Sequence, residues 1–283
     1  MRLTPDTLSD TFTYHETGSM HIDQANAGLR ATLRDRSPVV ASFVLVPRVE
    51  IIEMMAIAGC DAVIIDMEHG PVDVASLPNL AAFASSAGVH SIARIPEARA
   101  STIGAVLDAG FGGVMVPHVS SAEAAAATVA AARFPPAGIR SLNPYVRGGD
   151  YDATDPDGLS ELDAGAAVIG MLEGRSAIAE LDAILATPGL DAVFVGPVDL
   201  SGEMGHPGDP NHPDVLSKIE EIFVASIDAG VACGVYAPTP ERANRWFDLG
   251  ATIVAVSADS AMILDAFRAT FARLDVKGPR TTS

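Results

Sequence analysis

From about residue 38 onward the chain repeats one rhythm: a short apolar, β-branched run, then an alanine-rich amphipathic stretch. Strands covered on both faces read as unbroken apolar runs, and the helices between them supply the crossovers that a parallel sheet requires. The runs predict strands at Val39–Val46, Ala62–Asp66, Ser91–Arg94, Gly113–Pro117, Ala166–Leu172, Ala192–Val195, Ala232–Tyr236 and Ile253–Val256. The amphipathic stretches predict helices at Val49–Ala58, Asp73–Ser86, Ser101–Ala109, Ser121–Ala132, Arg175–Leu185, Val215–Ala229, Pro240–Asp248 and Ser260–Leu274. Several of these close on a glycine (Gly59, Gly88, Gly110, Gly230, Gly250), the residue suited to a left-handed helix end. Eight such units predict a (β/α)8 TIM barrel over residues 26–276, after an extension (1–25) and before a short tail (277–283). An open doubly wound sheet is the competing arrangement, but no GxGxxG motif follows the first strand. Two long segments rich in Pro, Gly and Asp, Phe134–Leu162 and Ser201–Pro213, break the rhythm and are read as functional loops.

Charge and absences narrow the function. The formal net charge is -18, so nucleic acid and anionic membrane are not expected partners. No apolar run reaches the length of a membrane helix, and the first residues carry no apolar secretion core, so a cytoplasmic protein is expected. Cys60 and Cys233 sit in apolar surroundings without metal-ligand spacing and read as buried free thiols. Only two lysines occur, Lys218 and Lys277, and neither ends a strand, which excludes a Schiff-base mechanism in the barrel. Any enolate chemistry must then be stabilised by a metal ion. P-loop, GxSxG and HExxH motifs are absent.

In a βα barrel the reacting groups stand at the carboxyl ends of the strands. Reading those ends gives Asp66, Glu68 and His69 after the second strand, Arg94 on the third, Glu173 after the fifth and Asp199 after the sixth. Glu173 and Asp199 fit either a Mg²⁺- or Mn²⁺-type site of oxygen ligands or two helix caps. His69 fits a general base, with Asp66 orienting its ring, or a histidine satisfied in a βα turn. Glu68 is expected to point to the opposite side, as it would if the strand continued. Arg94 fits a donor to an enolate oxygen or a carboxylate, or an ion pair with a rim acid.

The run Gly59-Cys60-Asp61-Ala62-Val63-Ile64-Ile65-Asp66-Met67-Glu68-His69-Gly70-Pro71 resembles the signature of the HpcH/HpaI aldolases, metal-dependent class II pyruvate aldolases. Ala93-Arg94-Ile95-Pro96, Leu107-Asp108-Ala109-Gly110, Gly113–Pro117, Phe134–Arg140 and Phe194-Val195-Gly196-Pro197-Val198-Asp199-Leu200-Ser201 match in the same order, from about residue 26 to 272. The resemblance implies a base at His69 acting with Asp66, enolate stabilisation by Arg94, and Mg²⁺, Mn²⁺ or Co²⁺ held by Glu173 and Asp199. It implies that the pyruvate-like donor meets Arg94, Met171 and the Gly196-Pro197-Val198 turn, with the Val198 amide on its carboxylate. It further implies that Asp108 reaches a neighbouring subunit's histidine, and that the chain forms a trimer or hexamer exchanging its C-terminal helix. Two positions depart from the family pattern: Met171 stands where Gln is usual, and Gly174 where Thr or Ser is usual.

The reaction so implied is reversible cleavage of a 4-hydroxy-2-oxo acid to pyruvate and an aldehyde. A lyase of the citramalyl- or malyl-CoA type would need a basic patch for the CoA phosphates, and no such cluster is visible among the 18 basic residues. A catalytically silent barrel that binds a 2-oxo acid is a third reading, with the loss of the usual Gln at Met171 in its favour.

Overall fold

The computed structural model describes residues 24–275. The extension and the tail expected at the two ends fall outside these residues, apart from the extension's last two. Eight parallel strands close on themselves in sequence order: β1 (Val39–Val44), β2 (Ala62–Asp66), β3 (His90–Arg94), β4 (Gly113–Val116), β5 (Ala167–Leu172), β6 (Ala192–Val195), β7 (Ala232–Ala237) and β8 (Ile253–Ala258). The predicted barrel is therefore the observed one. β1 stops two residues short of its expected end because the buried Asp259 carboxylate accepts the N–H groups of Leu45 and Val46 at 2.9 and 2.8 Å, removing them from the ladder.

Alternate residues of each strand point to opposite sides, and both sides are apolar. Val39, Ala41, Phe43, Ala62, Ile64, Ile92, Met115, Ala167, Ile169, Met171, Ala192, Phe194, Ala232, Ile253 and Ala255 fill the barrel, and Val63, Ile65, Val114, Val168, Val193 and Val235 pack outward against the helices. Continuing the inward parity by two residues puts Asp66, Arg94 and Glu173 on the inner face at the rim. The site is thus placed by the same period that builds the core.

The helices depart from the sequence reading in several places. A helix, Gln24–Arg34, precedes β1, and its buried Leu29 and Leu33 belong to the barrel interior, closing the end opposite the rim. The long insert is not all loop: Asp155 caps a helix at Pro156–Gly165, its Oδ1 accepting the Gly158 N–H at 2.7 Å. The helix expected over Arg175–Leu185 is two short ones, Arg175–Ala179 and Leu181–Leu185, separated at Glu180.

The closing glycines behave as expected. At Gly230 (φ 72) the chain turns left-handed, and its N–H reaches the Ile227 and Ser226 carbonyls. Both cysteines are free thiols, Cys233 buried and Cys60 half-buried. Burial pushes each thiol up to about 11, which leaves both protonated and unreactive at neutral pH. Among the described residues, no helix is long and apolar enough to cross a membrane.

Candidate active site

Asp66 is fully buried at the end of β2 and organises the rim. β2 and β3 pair in register with Asp66 beside Arg94. Arg94 Nε donates to Asp66 Oδ1 at 3.0 Å and Nη2 to Oδ2 at 2.6 Å, a two-pronged, charge-assisted pair. The same Oδ1 accepts the N–H groups of Glu68 and His69 at 3.0 and 3.1 Å. The guanidinium lies over the Phe43 ring, 4.6 Å from its centroid. Arg94 is therefore held from below and beside, and among the described residues its Nη1 has no bonded acceptor.

Two expectations need correction. Asp66 does not orient the His69 ring, because both its oxygens are taken by Arg94 and by main-chain N–H groups. His69 stands out from the rim, 63% exposed, with Glu68 Oε2 at 3.9 Å from its Nε2. Nor does Glu68 point away. β2 ends at Asp66, and the turn over Met67–Gly70 swings the Glu68 carboxylate back over the rim. There it lies 3.5 Å from Arg94 Nε and 3.9 Å from His118 Nε2. The turn has no room for a side chain at Gly70, where an added Cβ would sit 2.3 Å from the Asp66 carbonyl oxygen. Gly70→Ala is expected to cost about 1–3 kcal/mol of stability in a denaturant titration. A variant as stable as the parent would show that the turn relaxes freely.

On the far side of the rim, Glu173 is 5% exposed and Asp199 is exposed in the first turn of the helix Pro197–Glu203. Glu173 Oε2 and Asp199 Oδ2 converge on the inner face of Gly196, 3.1 and 3.6 Å from where a Cβ would stand. Among the described residues no donor is bonded to either oxygen, so two acidic oxygens face the space beside Gly196. Burial pushes the Glu173 carboxyl above its ordinary range, the His118 N–H and imidazole pull it back, and the charges of Asp199 and Glu68 add to the rise. A divalent cation would reverse that balance, and an all-oxygen pair with open positions fits a hard ion.

His118, just past β4, escaped the sequence reading although it occupies a strand end like the others. Its backbone is left-handed (φ 54). In that conformation its N–H donates to Glu173 Oε1 at 2.8 Å, and its Nδ1 lies 3.2 Å from the same oxygen. The ring, 71% exposed, leans over the cleft. His118, Glu173, Val198, Asp199, Pro207 and Gly208 line a cleft of about 530 Å³. A larger groove of about 810 Å³ lies on the outer wall near Asp182, Glu220 and Val224, where no strand end reaches. The chemistry is therefore assigned to the rim.

Met171 is buried inside the barrel one inward position below Glu173, and Gly196 and Pro197 turn the chain from β6 into the helix that carries Val198 and Asp199. Asp108 lies elsewhere: its Oδ1 accepts from Arg140 Nη2 at 2.7 Å, and that buried arginine stacks on Phe134. Within one chain Asp108 does not meet the cleft.

A model of the HpcH/HpaI aldolase/citrate lyase family matches residues 40–266. The 5-keto-4-deoxy-D-glucarate aldolase of Salmonella paratyphi C is 38% identical over 223 residues, 78% of this chain and 85% of that protein. A crystal structure of an HpcH/HpaI aldolase/citrate lyase family protein from Burkholderia cenocepacia superposes with a TM-score of 0.82 at 32% identity, over 87% of this chain and 98% of that one. The HpcH/HpaI aldolase from Desulfitobacterium hafniense gives 0.83 at 29% identity, over 89% and 99%. With the closed barrel and these matches together, the chain belongs to the HpcH/HpaI aldolase/citrate lyase family and is an enzyme of the aldolase/lyase type.

Proposed function

We propose that this enzyme is a divalent-metal-dependent aldolase that reversibly cleaves a 4-hydroxy-2-oxo acid into pyruvate and an aldehyde. The observation that carries the reading is the convergence of Glu173 Oε2 and Asp199 Oδ2, without bonded donors, across the rim from a guanidinium fixed by Asp66. Glu173 and Asp199 would hold the ion. When bound, it supplies Lewis-acid polarisation of the 2-oxo group and stabilises enolate charge.

The rest falls to the chain. Arg94 keeps Nη1 for the oxygen on which charge develops, and its bond to Asp66 fixes that donor before the substrate arrives. His69, with the Glu68 carboxylate 3.9 Å from its Nε2, takes the C4 hydroxyl proton. The C3–C4 bond then breaks, the aldehyde leaves, and its bonding pair passes to the enolate of pyruvate. Reprotonation at C3 completes the cycle. The Val198 N–H, in the first turn of its helix and outside the intrahelical ladder, suits the substrate carboxylate. The glucarate-derived substrate named for the Salmonella relative makes hydroxylated sugar-acid aldehydes the first acceptors to try.

Assembly belongs to the same proposal. The C-terminal helix Asp259–Ala272 leaves Met262, Leu264, Phe267 and Phe271 exposed, which supports its burial against another copy in a trimer or hexamer. Asp108 would then face a neighbour's cleft with the oxygen that Arg140 leaves open. Two free thiols fit work in the cytoplasm.

The direct test is exchange of the pyruvate methyl protons in D₂O, followed by proton NMR. Exchange with Mn²⁺ that stops on adding EDTA is the expected result. No exchange with Mg²⁺, Mn²⁺ or Co²⁺ would remove pyruvate as the donor.

A further inference from the structure

The loop after the helix Pro197–Glu203 gathers a second set of ligand-type side chains. His206 Nε2 lies 3.4 Å from Asp214 Oδ2, and His212 Nδ1 lies 3.6 Å from the same oxygen. The three ligand atoms all fall within 4.8 Å of one another. Two ligands held at about 2.0–2.1 Å by a tetrahedral zinc ion stand roughly 3.4 Å apart. The two measured spacings are those of a coordination edge.

The loop and the helices beside it hold this arrangement. The His206 N–H donates to the Ser201 carbonyl at 2.8 Å, the Asp209 N–H to the His206 carbonyl at 3.0 Å, and the His212 N–H to the Asp209 carbonyl at 3.1 Å. Arg242 Nη2 donates to Asn211 Oδ1 at 2.8 Å. Pro207, Pro210 and Pro213 restrict what remains. Ordering the ligands in advance lowers the entropy cost of collecting them around an ion.

We propose that His206, His212 and Asp214 form a second cation site, for a late first-row ion such as Zn²⁺, Ni²⁺ or Cu²⁺. Two imidazoles favour those ions over Mg²⁺ and Mn²⁺, so this loop and the all-oxygen pair at Glu173 and Asp199 differ in selectivity. The imidazoles now stack, with centroids 3.4 Å apart and planes at 11°. Rings so stacked cannot both keep one ion in their planes, so one of them turns about its Cβ–Cγ bond as the ion enters. The partial exposure of both side chains leaves room for that turn. His212 Nδ1 also accepts the Asp214 N–H at 3.3 Å, a long capping bond that the ion displaces. Pro207 and Gly208 of this loop line the cleft, so an ion here fixes one of its walls.

Zinc stoichiometry of the full chain, from equilibrium dialysis read by atomic emission, separates the two sites. The E173Q/D199N variant is expected to keep one zinc per chain in excess Mg²⁺. Adding H206Q/H212Q is expected to remove it with the circular dichroism unchanged. X-ray absorption at the zinc edge of E173Q/D199N alone, expected to show two imidazole ligands, needs no replacement in the loop. An E173Q/D199N chain without zinc, one that retains it after both histidines are replaced, or a zinc spectrum without imidazole overturns the proposal. None of these outcomes bears on pyruvate exchange, which tests the rim site separately.

Discussion

Turnover of a Glu173→Gln variant falls about 10³-fold with saturating Mn²⁺, a loss of roughly 4 kcal/mol of transition-state stabilisation, while the barrel stays folded. The two halves of this expectation have separate causes. Glutamine keeps a carbonyl oxygen for the His118 N–H, which donates to Glu173 Oε1 at 2.8 Å in the parent. The backbone at His118 therefore keeps its partner. What the proposed metal site would lose is one of its two anionic ligands, and with it the hold on the ion that would polarise the 2-oxo group. Metal-free stability should not drop: burial, Asp199 and Glu68 all oppose the ionised form of Glu173, and the amide removes that opposition. Steady-state rates with Mn²⁺ and a thermal melt in EDTA check both halves. Undiminished turnover would remove Glu173 from the metal site. A collapsed melt would make it a structural residue.

At the opposite end of the barrel, Asp191→Ala is expected to cost about 3–5 kcal/mol and to lower the melting temperature by roughly 10 °C. Asp191, with a side chain 1% exposed, accepts from Arg30 Nε at 2.8 Å and from the Val168 N–H at 3.0 Å, and it pairs with buried Arg133 at 3.4 Å. Arg34 also reaches it, at 3.3 Å, but is largely in water and adds little. Burial already pulls Arg133 down to about 10, and Asp191 is among the groups that resist the pull. Removing the carboxylate leaves that cation buried beside Arg30 without its counterion. Adding Arg133→Met should recover part of the loss. If Asp191→Ala alone melts within a degree or two of the parent, water replaces the carboxylate and the cluster is not a stabilising one. Metal-dependent turnover at 25 °C should survive, since no residue of the cluster lies at the rim.

The barrel was legible because strands covered on both faces must be apolar throughout, and helices between them must return the chain to the same end. The N-terminal helix was not, since Leu29 and Leu33 are its only large apolar side chains among the described ones and a short polar stretch gives little periodicity. Helix Pro156–Gly165 carried a start signal, Asp155 before Pro156, beneath a composition that reads as loop. At the rim, strand-end reasoning picked out Asp66, Arg94, Glu173 and Asp199, which the fold brings to the same end of the barrel, the last two lining the cleft. It failed where the strand stops. Glu68 lies two residues past Asp66, so even a continued strand would have put it on the Asp66 side, and the expectation of the opposite side misapplied the period. His118 depends on a left-handed residue after β4, and nothing in a histidine's identity announces that backbone.

The pairing of β1 with β8 joins residues near the two ends of the described chain. During synthesis β1 emerges early and keeps one edge unpaired until β8 has left the ribosome, on the order of tens of seconds later at ordinary elongation rates. Over that interval the nascent chain carries an apolar ribbon with open N–H and C=O groups, the kind of edge that seeks another strand. Expression yield in this fold should therefore respond more sharply to chaperone supply and to slow codons before β8 than to small changes in the stability of the finished barrel.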